Sequence, residues 1–80
     1  MKVLIIEDEP VLLASVQQYL EQQGFICESA AGLQQALNKV NDFDYDCIVA
    51  DIGLPDGNGL QIVQELKTLK STAGIIIISA

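Results

Sequence analysis

These 80 residues contain no histidine, arginine or tryptophan, and only two prolines and two cysteines. Without histidine, Cys27 and Cys47 cannot be completed into an ordinary Cys/His zinc site. The four lysines face eleven acids, for a formal net charge of −7. That balance leaves little with which to neutralise a phosphate backbone, so no nucleic acid contact is expected from this segment. Each cysteine lies in or beside an apolar run, as expected for reduced thiols in or near the core of a cytoplasmic protein. The first apolar run, Val3 to Ile6, meets three acids at once and is too short for a signal peptide or a membrane span. A cytoplasmic chain with no membrane contact is the expectation.

Half of the residues are hydrophobic and few are aromatic, which describes a small globular domain with a core of Val, Ile, Leu and Ala. Lys2 to Ile6 is a β-branched and aliphatic run of strand length. Pro10 then suits the first position of a helix, and an acid before it can cap the free N–H groups. Leu13, Val16 and Leu20 recur at helical spacing and Gly24 supplies a stop, which predicts a helix over Val11 to Gln23. Phe25 to Ser29 is a second strand, less uniformly apolar and so suited to a sheet edge. Leu33, Ala36, Leu37 and Val40 mark a second helix. Asn41 to Asp46 is a polar connector with three acids, to which Phe43 and Tyr45 add apolar anchors. Cys47 to Ala50 is the third strand, and Leu60, Val63, Leu66 and Leu69 mark a third helix ending near Ser71 to Gly74. Ile75 to Ser79 is the fourth strand.

The order β-α-β-α-β-α-β, with helices of crossover length, calls for an α/β fold with a parallel sheet and right-handed connections. In such a sheet all strands point one way. Asp8 after the first strand, Asp51 after the third and Ser79 at the end of the fourth therefore share the carboxyl edge, where doubly wound folds bind ligands.

The stretch Cys47 to Gly59 carries the chemistry. An uncharged strand runs into Asp51, and a loop with three glycines and Pro55 follows. Glu7, Asp8 and Asp51 converge if the first and third strands are neighbours, and such a cluster repels itself unless protons or a cation compensate. Oxygen ligands without His or Cys favour a hard ion, with Mg²⁺ the natural choice and the Gly53 carbonyl a possible neutral ligand. A carboxylate beside Mg²⁺ can also attack phosphorus. Glu9 and Asp56 need no role beyond a turn or a helix cap.

The pair Glu7-Asp8, Pro10, Asp51, the loop Asp51-Ile52-Gly53-Leu54-Pro55-Asp56-Gly57-Asn58-Gly59 and the ending Ser79-Ala80 together resemble the receiver domain of two-component response regulators. The resemblance covers residues 1–80 and implies a flavodoxin-like, doubly wound sheet of order 2-1-3-4. It implies that Asp51 is the phosphoacceptor for a histidine kinase, and that Glu7, Asp8, Asp51 and the Gly53 carbonyl serve Mg²⁺, Glu7 directly or through water. It makes Ser79 the switch hydroxyl and gives Pro55 and Gly59 the shaping of the loop. The loop wording is closest to receivers that carry a winged-helix DNA-binding domain. On this reading the chain is a phosphoacceptor signalling module and not a turnover enzyme.

The family continues past the fourth strand with a helix, a lysine-bearing strand and a last helix, which these 80 residues do not include. The expected unit is thus a truncated (βα)3β receiver with impaired signalling. Its fourth strand becomes an open apolar edge and one sheet face is stripped. At about 25 cal/mol per Å², several hundred Å² of bare apolar surface cost on the order of 10 kcal/mol. A two-fold dimer through that edge, or through exchanged elements, is the expected response. The alternative is a self-associating fragment without phosphotransfer. A Mg²⁺-dependent aspartyl phosphatase of the haloacid-dehalogenase type fits less well, because it needs a second Asp where this chain has Gly53.

Overall fold

The computed structural model describes residues 1–78, so the expected role of Ser79 lies outside the described residues. The elements run β1 (Lys2–Ile6), α1 (Pro10–Gln22), β2 (Ile26–Ala30), α2 (Leu33–Asp42), β3 (Cys47–Asp51), β4 (Gly53–Leu54), β5 (Gly57–Asn58), α3 (Leu60–Thr68) and β6 (Gly74–Ile78). The main sheet is parallel with order β2-β1-β3-β6, the 2-1-3-4 arrangement of a flavodoxin-like fold once the small hairpin is set aside. β2 lies at an edge, as its mixed composition predicts. The antiparallel β4–β5 hairpin inside the Ile52 to Gly59 loop was not legible in the sequence.

Side-chain alternation splits the sheet into two unequal faces. Leu4, Ile6, Ile48 and Ala50 point to the face covered by α2 and α3, where they pack with Leu33, Ala36, Val40, Ile62 and Leu66. Val3 and Ile5 point to the other face, beneath α1, and are buried. Residues of the same face farther along the sheet are less well covered: Val49, the partner of Ile5, is half-buried, its own partner Ile76 is 53% exposed, and Ile78, beside Asp51, is 36% exposed. α1 reaches β1 and β2 and buries no residue completely, its stripe of Leu13, Val16 and Leu20 being half-buried. One face therefore holds the core, and the other is bare beyond β3.

Glu9 is the N-cap of α1, its carboxylate accepting from the Val11 and Leu12 N–H groups at 3.3 and 2.6 Å with Pro10 next in line. Gly24, at φ +94°, closes the helix: its N–H bonds the Glu21 carbonyl and the Phe25 N–H bonds that of Leu20. α3 ends in the same double bond pattern, from Lys70 to Lys67 and from Ser71 to Leu66. There the left-handed position is occupied by Lys70 at φ +54°.

The connector between α2 and β3 is more structured than a solvated loop. The Tyr45 hydroxyl donates to Glu28 at 2.7 Å, and Asp46 accepts the Lys2 N–H at 2.7 Å. Phe43 stays half exposed near the Lys2 ammonium. Glu28 also pairs with Lys2 at 3.0 Å and Lys39 at 3.4 Å, so one carboxylate joins β2, β1, α2 and the connector at the amino edge. These donors, with Tyr45 first, hold the Glu28 carboxyl down at about 2. Cys27 and Cys47 are half-buried free thiols, and burial pushes the Cys27 thiol up.

Candidate functional site

The parallel register explains why three acids meet. β1 and β3 pair through Ile6 and Ala50, and one residue farther along each strand stand Glu7 and Asp51. Both carboxylates are then on the same side of the carboxyl edge. The Glu7 N–H still bonds the Ala30 carbonyl at 3.0 Å, which prolongs the β1–β2 ladder to the acidic position. Glu7 and Asp51 are buried, 5% and 9% exposed, and Asp8 turns outward. One carboxylate oxygen from each of Glu7, Asp8 and Asp51 lies within 4.8 Å of the others.

The cluster is electrostatically strained. Burial, a hydrogen bond with Asp51 and the Asp51 charge together push the Glu7 carboxyl up to about 7, opposed by the Asp8 N–H that donates to Glu7 at 3.0 Å. No lysine relieves it: Lys2 and Lys39 hold Glu28 at the opposite edge, and Lys67 and Lys70 lie at the far end of α3. The all-oxygen donor set, two buried carboxyls and one exposed, fits a hard divalent cation of the Mg²⁺ type.

The loop after Asp51 is built around that carboxylate. The Gly53 N–H donates to Asp51 Oδ1 at 3.0 Å, while the Gly59 N–H returns to the Ile52 carbonyl at 3.0 Å. A Cβ on Gly59 would overlap the Asp51 carbonyl oxygen and come within 3.0 Å of its carbon, so glycine is required by contact with backbone. Gly53 is exposed and has open space where a Cβ would stand. Pro55 and Asp56 form the turn between β4 and β5.

Asp56 does serve as a turn and cap residue, but the helix it caps is the distant α2, which its sequence position did not reveal. Its two oxygens accept the Leu33 and Gln34 N–H groups at 2.6 and 3.0 Å, so it caps α2 from 23 positions away, and those bonds hold its carboxyl below the usual range. The available signal was an absence: α2 starts after Gly32, which has no side chain with which to cap it.

The family model described as response regulator receiver domain matches residues 3–80. The two-component response regulator PhoP of Pseudomonas aeruginosa is 32% identical over the whole of this chain, which spans 36% of PhoP. The TorCAD operon transcriptional regulatory protein TorR of Escherichia coli is 39% identical over 96% of this chain and 33% of its own length. The chain thus spans about a third of the length of these curated relatives. Among solved structures, the response regulator TrrA of Thermotoga maritima in complex with Mg²⁺-BeF superposes with a TM-score of 0.92 at 29% identity, covering 99% of this chain and 69% of TrrA. A family model that spans nearly every residue, over a sheet with the family's strand order, places the chain in the response regulator receiver domain family.

Proposed function

We propose that the chain is the phosphoacceptor portion of a two-component receiver, with Asp51 taking a phosphoryl group from a sensor histidine kinase in the cytoplasm. The observation that carries this reading is the convergence of Glu7, Asp8 and Asp51 within 4.8 Å at the carboxyl edge of a receiver-family sheet. Asp8, Asp51 and the Gly53 carbonyl would hold Mg²⁺, with Glu7 supporting it directly or through water. When bound, the ion supplies the positive charge that lets an anionic phosphoryl group approach three acids. The TrrA complex with Mg²⁺-BeF supports that assignment.

Asp51 is suited to the acceptor role because the Gly53 N–H fixes one of its oxygens. A carboxylate oxygen of Asp51 forms the new P–O bond, the P–N bond to the kinase imidazole breaks, and the ring nitrogen keeps the electron pair. Ser79 would contribute the switch hydroxyl. The product is an acyl phosphate held as a signal, which makes the domain a signalling module and not a turnover enzyme. Incubating the protein with a phosphorylated histidine kinase and Mg²⁺, and weighing the intact protein, tests this. One added phosphoryl group that is lost in Asp51→Asn supports the reading, whereas transfer that persists in Asp51→Asn overturns it.

A second reading concerns the 80 residues taken alone. β6 pairs only with β3 among the described residues, and Ile76 and Ile78 lie bare on the α1 side. These features favour a two-fold dimer through β6 or through exchanged elements, with phosphotransfer impaired by the absence of a lysine at the carboxyl edge.

A further inference from the structure

We propose that Asp56 is a positioning residue of the acidic site, holding the β4–β5 hairpin and Gly53 in place by closing the N-terminus of α2. The inference rests on the reading of this edge as a Mg²⁺ and phosphoryl site.

The hairpin is tied down on three sides. Leu54 is buried in the core between α2 and α3. Toward α3, the Asn58 N–H donates to Gln61 at 2.9 Å, and Asn58 accepts the Leu60 N–H at 2.8 Å. Toward α2, Asp56 accepts the Leu33 and Gln34 N–H groups.

This third tie is shaped on both partners. A Cβ on Gly32 would stand 3.0 Å from Asp56 Oδ1, and a Cβ on Gly57 would overlap the Leu33 side chain. Two glycines therefore make room for one carboxylate and one leucine. Among the described residues the first N–H groups of α2 have no other cap, since Gly32 has no side-chain oxygen to offer.

The path from this tie to the chemistry is short. Gly53 pairs with Asn58 and Leu54 with Gly57 across the hairpin, so the turn that carries Asp56 also carries Gly53. Gly53 in turn donates to Asp51 Oδ1. Loss of the Asp56 carboxylate frees the turn from α2, and the Gly53 N–H and C=O lose their fixed place relative to Asp51.

Amide hydrogen exchange of the intact, metal-free protein tests the positioning, and Mg²⁺ titration tests its consequence. Asp56→Ala is expected to speed exchange at Leu33, Gln34 and the 53–58 segment roughly fivefold, the scale of a lost helix cap, with a similar loss of Mg²⁺ affinity. Asp56→Asn keeps one acceptor and should fall between wild type and Asp56→Ala. Tyr45→Phe, at the opposite edge, is the control for general loosening. If Asp56→Ala changes the hairpin and the Mg²⁺ affinity no more than Tyr45→Phe does, the proposal is overturned. A wild-type protein that takes no Mg²⁺ overturns the proposed function, and the exchange pattern still upholds or overturns the positioning by itself.

Discussion

Glu7 and Asp51 stand one residue beyond the Ile6–Ala50 pair of two adjacent parallel strands, so a buried carboxyl from each meets at one point on the sheet edge. Because the strands are in register, the local ladder suffices to bring them together. A proton or a cation relieves the resulting conflict.

The conflict has a pH signature. The Glu7 carboxyl rises from 4.5 to about 7 in the fold, mainly through burial, so the folded state favours its neutral form. Below about pH 4.5 both folded and unfolded chains hold the proton and nothing is lost. Between about pH 4.5 and 7 the unfolded chain gives up this proton while the folded state holds it, so stability falls by about 1–3 kcal/mol and then levels off above 7. Glu7→Gln should therefore be more stable than wild type by roughly that amount at pH 8 and equal to it near pH 4. Urea unfolding at the two pH values checks this.

Gly59 meets the Asp51 carbonyl so closely that even a methyl group requires the backbone to move. Gly59→Ala is expected to cost about 1–3 kcal/mol, as overpacking against backbone does, and to weaken Mg²⁺ binding as Asp51 shifts. A variant with wild-type stability and affinity would show that the loop yields at no cost.

At the amino edge the sign is reversed. Glu28 is held at about 2 by the Tyr45 hydroxyl, Lys2 and Lys39, so its contribution is present above about pH 4.5 and disappears as the pH falls toward 2. Glu28→Gln should be less stable than wild type near neutrality and converge with it in acid. Tyr45→Phe removes the largest of the three supports and should move the acid unfolding midpoint upward. Circular dichroism across an acid titration reads both.

The bare sheet face makes a prediction for the 80 residues alone. With Ile76 and Ile78 exposed and the outer edge of β6 unpaired among the described residues, the polypeptide should sediment as a dimer at micromolar concentration. Ile76→Lys should shift it toward monomer. A folded wild-type monomer at that concentration would contradict the expectation.

Most of this architecture is legible in the chain because its signals are local. The apolar runs, the Pro10 start and the Gly24 stop place β1, α1 and β2 to within a residue or two, and the parallel order then carries Asp8 and Asp51 to one edge. Features that depend on distant partners are not legible. Lys70 ends α3 in a conformation usually left to glycine, so the sequence carried no stop signal there. Asp56 reads as a turn or cap residue, but which helix it caps emerges only when the fold brings the Leu33 N–H to it, and Tyr45 reads as an anchor of the connector whose hydroxyl partner, Glu28, only the fold supplies. Burial of Glu7, which sets the electrostatics of the site, likewise follows from tertiary packing.

The decisive property is whether Glu7, Asp8 and Asp51 form one cation site. Titrating the protein with Mg²⁺ while following its backbone amide resonances asks this directly. Saturable shifts confined to Glu7 to Glu9 and Asp51 to Gly53, and lost in Asp51→Ala, are the predicted result. Shifts that do not saturate, or that centre on the Asp42 to Asp46 connector, would contradict it.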